Sequence, residues 1–216
     1  MRYQKLTGII LKKQNLREAD QIVTLWTHEL GKVRVLCKSI RSAKSKLSYA
    51  MQDLSLVEIN ISGRHLPVLI SSRQIKNYKA IKEDLKKAAV AFYASEMVLK
   101  LTADEHPNQN THKLLVDFLE YLNDFKGHNP QLVLESYALK LMSSLGFSYE
   151  FFQKQPAASK EISQILNTLQ EVEFCKTQDY KFKPSVCSEV HKTVKNFIEL
   201  ILERDLKSEP FLIRTQ

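Results

Sequence analysis

The sequence predicts an α+β protein in which a small closed β-barrel precedes a set of helices. Two properties change together near residue 80. Apolar residues recur every second position before it and at helical spacing after it. Residues 1–80 contain 15 Lys or Arg against 5 Asp or Glu, whereas residues 81–216 contain 17 against 19. We therefore divide the chain into a basic domain, residues 1–80, and a helical domain, residues 81–216.

Five short segments of the basic domain have β-strand character. They are residues 6–12, 20–27, 32–38, 54–61 and 67–75. Gly31 suits a hairpin turn between the second and third segments. The alternation of the fourth segment changes frame after Leu56, which predicts a β-bulge and a sharp bend. Five short strands, one of them bent, predict an OB-fold barrel.

Apolar stripes at helical spacing predict five helices in the second domain. The expected buried faces are Leu85, Ala88, Ala89, Phe92 and Leu99; Leu115, Phe118, Leu119, Leu122 and Phe125; Leu134, Ala138, Leu141, Met142 and Leu145; Ile162, Ile165, Leu166 and Leu169; and Val190, Val194, Phe197, Ile198, Ile201 and Leu202. Asn129-Pro130 starts the third helix and Gly146 ends it. Residues 147–158 and 173–183 fit no element.

Composition argues against several classes of protein. The three cysteines are widely spaced, which predicts reduced thiols. No signal segment and no apolar run of about 18 residues is present, so we expect a soluble cytoplasmic protein. Only five glycines occur, with no phosphate-binding loop. The six histidines lack metal-ligand spacing, and we expect each at a surface or a helix end. We predict no catalysis, no cofactor and no metal.

The strongest functional signal is a basic run from Lys32 to Lys46. No acidic residue lies between Glu29 and Asp53. In the third strand, Val33, Val35 and Cys37 alternate with the outward set Lys32, Arg34, Leu36 and Lys38. The following Ser-rich loop adds Arg41, Lys44 and Lys46. Cations with serine hydroxyls suit phosphate oxygens, so we predict salt-dependent, weakly sequence-specific binding of a polyanion.

Further candidates flank this run. Lys12, Lys13 and Arg17 are secondary cations of the predicted polyanion-binding set. Tyr49, just after the loop, is the best candidate for stacking on a base. Trp26 shares its strand face with Ile22 and Thr24, and we expect it in the core.

Three blocks of this region resemble the RecO family of bacterial recombination mediators. They are Glu18-Ala19-Asp20-Gln21-Ile22-Val23-Thr24-Leu25, then Gly31-Lys32-Val33-Arg34, then Lys38-Ser39-Ile40-Arg41 leading into Lys44-Ser45-Lys46-Leu47. The similarity continues through Gln52, Leu54, Gly63, Leu66 and Pro67. It is weaker at Leu141–Phe147 and at Leu206-Lys207-Ser208 with Phe211-Leu212.

The resemblance implies an OB-fold domain followed by a helical one. It also implies binding of single- and double-stranded DNA and annealing of complementary strands. The implied partners are RecR and the C-terminal tail of single-stranded DNA-binding protein (SSB), with RecA loaded indirectly onto SSB-coated DNA. The resemblance further implies that the protein is cytoplasmic and associated with the nucleoid.

The sequence departs from the family in two places. Many members carry a four-cysteine zinc site, but here only Cys175 and Cys187 remain near residues 147–187, so the resemblance implies a zinc-less remnant. The usual Arg-Phe-Glu start of the central helix reads Ser136-Tyr137-Ala138. In relatives this region contributes to docking of the SSB tail, so the resemblance implies that docking here is lost or uses different cations.

Two other functions fit the same residues. One is an RNA-binding OB-fold protein of translation or ribosome assembly. The other is a protein-interaction scaffold whose basic face binds acidic tails.

Overall fold

The structure is a computed structural model that describes residues 3–127, 130–147, 160–203 and 205–214. Contacts between Cα atoms divide the chain into two compact units. The barrel unit comprises Met1–Lys79 and Val98–His112, and the helical unit comprises Ala80–Met97 and Lys113–Gln216. Asn129, at the predicted start of the third helix, lies outside the described residues, as do residues 148–158 of the segment left unassigned.

Five strands form the barrel: β1 (Tyr3–Leu16), β2 (Asp20–Thr27), β3 (Gly31–Cys37), β4 (Leu56–Ser62) and β5 (Val68–Lys76). They close in the order β1-β2-β3-β5-β4, which is the strand order of an OB-fold. The β3–β5 contact is parallel and rests on a single register pair, Leu36 with Val68, whereas the other four pairings are antiparallel. The predicted OB-fold barrel is confirmed.

The first strand is twice the predicted length because it takes part in two pairings. Its first half pairs with β4 and its second half with β2, and Gly8 takes part in both. A Cβ at Gly8 would lie 2.6 Å from the carbonyl oxygen of Trp26, so only glycine allows this close approach. A bulge lies beside the predicted position but in the fifth strand: Leu56 pairs with Lys76 and Val57 with Gln74, so the extra residue is Ile75 of β5, and the bulge predicted in the fourth strand is wrong.

The barrel core follows the predicted alternation of β3. Val33, Val35 and Cys37 are buried in one cluster with inward residues of the other strands. Burial raises the pKa of the Cys37 thiol to about 12, so it behaves as a small apolar group. Trp26 is 1% exposed, which confirms the expected core position.

The described helices are α1 (Lys79–Glu83), α2 (Leu85–Leu101), α3 (Gln109–Asp124), α4 (Gln131–Ser144), α5 (Lys160–Glu171), α6 (Pro184–Leu202) and α7 (Glu209–Arg214), with a 3-10 helix at Phe174–Asp179. Gly146, with φ +89°, follows the end of α4 as predicted. The 3-10 helix lies in the segment 173–183 that fitted no element.

The predicted faces of α3, α4, α5 and α6 are buried or half-buried. The predicted face of α2 is wrong, because Leu85 and Phe92 are exposed while Val90, Tyr93 and Met97 are buried. Residues 89–91, 93–95, 97 and 98 are all buried, so most of this helix is covered. A helix covered on nearly every side shows no single apolar stripe from which its face can be predicted.

Candidate nucleic-acid interface

On one face of the sheet, two exposed cations lie on either side of the buried Thr24 across three strands. Lys12 of β1 pairs with Thr24 of β2, which pairs with Arg34 of β3. Residues opposite each other in a sheet share a face, and two strand spacings place the Lys12 and Arg34 backbones about 10 Å apart. Both side chains are exposed, as is Lys38 just after β3. We call Lys12, Arg34 and Lys38 the strand face.

The loop that follows β3, residues 39–48, is fastened to the turn between β1 and β2. Asp20 Oδ1 accepts a hydrogen bond from the Ser39 amide at 2.7 Å. The Arg41 amide donates to the Ala19 carbonyl at 3.0 Å, and its guanidinium Nη1 donates to the Glu18 carbonyl at 3.1 Å. These bonds hold the start of this basic loop beside the strand face, so strand and loop form one surface.

Buried residues anchor the basic loop at both ends. Ile40 and Met51 belong to the barrel core, and Leu47 packs against it. Successive turns connect Ser42 to Ser39 and Ser45 to Ser42. The loop therefore closes one region of the barrel with its apolar residues while Arg41, Lys44 and Lys46 stay exposed. Tyr49 is 71% exposed at its end.

Unpaired charge is concentrated on this surface. Within the described ranges, the side chains of Lys12, Arg34, Lys38, Lys44 and Lys46 have neither a hydrogen bond nor an ion pair. On β1, β4 and β5, by contrast, Lys5 and Arg73 both bind Glu58, at 2.8 and 3.1 Å. Their hydrogen bonds lower the pKa of the Glu58 carboxyl. The cations Lys5 and Arg73 therefore share an internal carboxylate, whereas those five cations of the strand face and basic loop have none among the described residues.

Lys32 is predicted to be exposed on the outer face of β3, but its side chain is largely buried. Its side chain is 12% exposed, and Nζ donates to the carbonyls of Leu99 at 3.0 Å and Thr102 at 2.5 Å. It also forms an ion pair with Asp104 at 3.2 Å. The last carbonyls of a helix lack intrahelical partners and attract cations, so Lys32 completes the end of α2. We leave it out of the exposed surface.

Lys13 also has internal partners. It pairs with Val23, which pairs with Val35, so it shares the inward frame of the barrel. Its Nζ binds Asp53 Oδ2 at 3.1 Å and the Met51 carbonyl at 3.3 Å. A register shift between Ile10 and Lys12 sets this frame. Arg17 lies exposed in the β1–β2 turn with φ +55°, near the loop attachment.

The helical unit holds a charge cluster that the sequence did not predict. His191 of α6 binds Glu135 of α4 at 2.7 Å and Glu209 of α7 at 3.3 Å. Lys195, one turn along α6, binds Glu209 at 3.3 Å. Burial alone lowers the pKa of His191, but the two carboxylates outweigh it and raise the pKa to about 10. His191 is therefore a half-buried cation near neutral pH.

The expectation that each histidine lies at a surface or a helix end is wrong at His191, which lies within α6 in this cluster. His112 lies near a helix end, in the first turn of α3, but is only 7% exposed. Burial and, to a smaller extent, the nearby His28 lower the pKa of His112 to about 4. His28, His65 and His106 are exposed as expected, whereas His128 lies outside the described residues.

The two cysteines near the family's zinc region, Cys175 and Cys187, bind separate partners. Cys175 is exposed and donates to Glu173, while Cys187 donates to the Phe182 carbonyl. Among the described residues no group of three or more His, Cys, Asp or Glu could hold a metal ion. These two cysteines do not fit the four-ligand zinc site that the resemblance associates with this region.

The fold and this surface define a class of protein: an OB-fold barrel with a basic outer face, joined to a helical unit. Two family models match the chain, "Recombination protein O N terminal" over residues 1–78 and "Recombination protein O C terminal" over residues 82–155. The chain belongs to the RecO family of DNA repair proteins.

Individual relatives agree with the family models. The chain is 33% identical over 147 residues to the DNA repair protein RecO of Dehalococcoides mccartyi strain CBDB1, covering 68% of this chain and 57% of that protein. It is 31% identical over 148 residues to RecO of Symbiobacterium thermophilum, covering 68% and 58%. It is 28% identical over 144 residues to RecO of Listeria monocytogenes serotype 4b, strain CLIP80459, covering 66% of this chain and 56% of that protein.

The aligned part thus spans little more than half the length of these relatives. Within the described part of the chain, no helix has the length and apolar character needed to cross a membrane.

Proposed function

We propose that this chain binds single- and double-stranded DNA through the strand face and basic loop and anneals complementary strands. The observation that carries the proposal is a set of exposed cations without internal partners in the described residues, on a barrel where Lys5 and Arg73 share the carboxylate of Glu58. Cations that have no acidic neighbour gain most from contact with phosphate, because binding releases the counterions of the nucleic acid.

Annealing needs only positioning and charge neutralisation. Two strands repel each other through their phosphates, and a rigid basic surface that binds both reduces that repulsion. Contacts to phosphate leave the base edges free to pair. Arg41 and Arg17 extend the surface beyond the strand face, and Tyr49 supplies a ring on which an unpaired base stacks. This mechanism involves no covalent step, and we propose a non-enzymatic role that uses no cofactor or metal.

The proposed partners follow from family membership. We propose that the chain works with RecR to load RecA onto SSB-coated strands, in a nucleoid-associated cytoplasmic setting. Docking of the SSB tail has little support at Ser136–Ala138, since Ser136 and Tyr137 are 0% exposed and Ala138 is 1% exposed. If an acidic tail docks on this chain, we propose that it binds cations elsewhere in the helical unit or in the barrel.

The test replaces Arg34, Lys38, Lys44 and Lys46 together by Ala. Arg41 is kept, because its guanidinium holds the Glu18 carbonyl and its loss would loosen the loop. Each lost phosphate contact lowers the slope of log affinity against log salt by about 0.7 for single strands. We expect the slope for single-stranded DNA to fall by roughly 3 and annealing to slow in step.

A matched control removes four exposed lysines of the helical unit: Lys113, Lys126, Lys181 and Lys192. It changes the net charge equally, so a long-range charge effect would lower both slopes alike. An unchanged slope in the barrel variant would sink the proposed surface. Measuring structured RNA in parallel checks the competing function, because tighter binding to RNA than to DNA would favour it. A strand-annealing assay on SSB-coated DNA then tests the mediator role.

A further inference from the structure

A cavity of about 390 Å³ opens in the barrel unit beside the loop between β4 and β5. Its apolar lining is Leu30, Val33, Ile61 and Pro67, and its polar lining includes Gln4, Arg64, His65 and Glu105. This volume lies within the range of small-molecule sites, about 300–1,000 Å³. Apolar walls with a few polar groups at the edge suit a flat aromatic ring whose rim carries donors and acceptors.

Backbone contacts fix the walls of the cavity. Gly63 has φ +115°, and a Cβ there would lie 3.3 Å from the Cα of Pro67, so the loop folds tightly back on itself. The Glu105 amide donates to the Lys32 carbonyl at 3.0 Å. Because Lys32 also binds the end of α2, the segment that carries Glu105 is held against β3 from two directions.

The polar groups of this lining are available to a ligand. Across the described ranges, the side chains of Gln4, Arg64, His65 and Glu105 have no hydrogen bond or ion pair. Arg64, His65 and Glu105 are exposed, and Gln4 is half-buried.

One wall of the cavity lies beside the strand that carries part of the strand face. The Leu36 amide donates to the carbonyl of Pro67, a lining residue, at 2.8 Å, which joins the β4–β5 loop to β3. Leu36 lies between Arg34 and Lys38 in the same outward frame of β3.

We propose that this cavity takes one unstacked base of a single strand bound on the strand face, and that Glu105 makes it favour cytosine over thymine. The proposal rests on the proposed function and deepens it. Pro67 and Leu30 contact the base, and Arg64 lies outside for a phosphate. The Glu105 carboxylate accepts hydrogen bonds only, so it pairs with the amino group of cytosine and repels the O4 acceptor of thymine.

The experiment compares oligo-dC and oligo-dT of about 16 nucleotides, the upper site size of an OB-fold. We expect the unaltered chain to bind oligo-dC roughly 5- to 10-fold more tightly. The Glu105→Gln variant, whose amide both donates and accepts, should reduce this ratio to about 2 or below. Thermal unfolding of both proteins checks that the fold is unchanged.

Glu18→Gln is the matched control, since Glu18 is an exposed carboxylate beside the basic loop. It removes the same charge, should strengthen binding to both oligonucleotides equally, and should leave the ratio as it was. A ratio near 1 in the unaltered chain, or an equal effect of both variants on the ratio, overturns the proposal.

The two proposals fail separately. If the four-cation variant keeps its salt slope, the strand face is not the DNA surface and the proposed function fails. If that slope falls but the unaltered chain shows no cytosine preference, the phosphate surface stands and the base-binding cavity is wrong.

Discussion

The two units of this protein use charge in opposite ways. On the barrel, Arg34, Lys38, Lys44 and Lys46 are exposed and have no internal partner among the described residues. In the helical unit, Glu135 is 2% exposed and His191 and Lys195 of α6 bind Glu209. Exposed charges contribute little to stability and remain available to a partner. Buried charges belong to the fold, because removing one leaves its partner uncompensated. Exposure and pairing, more than the number of cations, therefore distinguish a binding surface from a structural cluster.

The largest expected effect comes from removing His191, the half-buried cation that binds the buried Glu135. His191→Gln leaves Glu135 uncompensated, and we expect the free energy of unfolding to fall by about 3–5 kcal/mol. Urea denaturation measures this. Lys192→Gln, at the exposed neighbouring position, is the control and should cost less than about 0.5 kcal/mol. If both variants lower the free energy of unfolding equally, the pairing of His191 does not stabilise the fold and this comparison is wrong.

The same cluster predicts a pH dependence. The pKa of His191 is raised from its ordinary value of 6.5 to about 10 in the folded protein. Its contribution is therefore complete below pH 6.5, falls as pH rises above that value, and is lost above about 10. The difference in unfolding free energy between the unaltered chain and His191→Gln should shrink across this window. A constant difference would show that His191 is not held protonated by its two carboxylates.

Lys32 offers a test within the barrel unit. Lys32→Ala removes a donor from the carbonyls of Leu99 and Thr102 and leaves Asp104 unpaired, and we expect a loss of about 2 kcal/mol in stability. The slope of DNA affinity against salt should not change. Arg34→Ala should do the reverse, lowering the slope by about 0.7 with little effect on stability. A lower slope in the Lys32 variant would return this residue to the DNA surface.

Asp20 separates loop positioning from net charge. Asp20→Asn and Asp20→Ala remove the same negative charge, but only Asn keeps an acceptor for the Ser39 amide. Simple electrostatics predicts equal, slightly tighter DNA binding for both variants. If the bond to Ser39 positions the basic loop, the Ala variant should bind roughly 5-fold more weakly than the Asn variant. Fluorescence anisotropy with labelled single-stranded DNA measures the difference.

The smallest effect is expected at Lys13. Its ion pair with Asp53 is partly exposed, at 24% and 45% of the two side chains, so Lys13→Ala should cost at most about 1 kcal/mol. Because the ammonium is occupied by Asp53 and the Met51 carbonyl, the salt slope should stay constant. A slope reduced as far as in Arg34→Ala would show that these internal contacts open when DNA binds.

Local patterns were sufficient where one face of an element is buried and the other is not. The β2 bounds and the alternation of β3 both follow from a period of two, because a pleated strand sends successive side chains to opposite sides. The face of α3 follows from helical spacing for a similar reason. The face of α2 could not be predicted, since nearly all of its circumference is covered.

Partners far away in the sequence could not be predicted. Glu135 and His191 are 56 residues apart, and no local pattern pairs them. Lys32 and Arg34 look alike in the sequence, yet one completes the end of α2 and the other is exposed. The site was predicted as a set of cations, but the structure divides that set into exposed and occupied members.

The sequence by itself determined the strand pattern, the basic character of the first 80 residues and the membership of the family, because these depend on local periodicity, composition and residue order. The tertiary structure decided which cations are available, how the loop is fastened to the β1–β2 turn at Asp20, and where the cavity beside Glu105 opens. Those properties depend on which distant groups come within hydrogen-bonding distance, and barrel closure and helix packing set those distances.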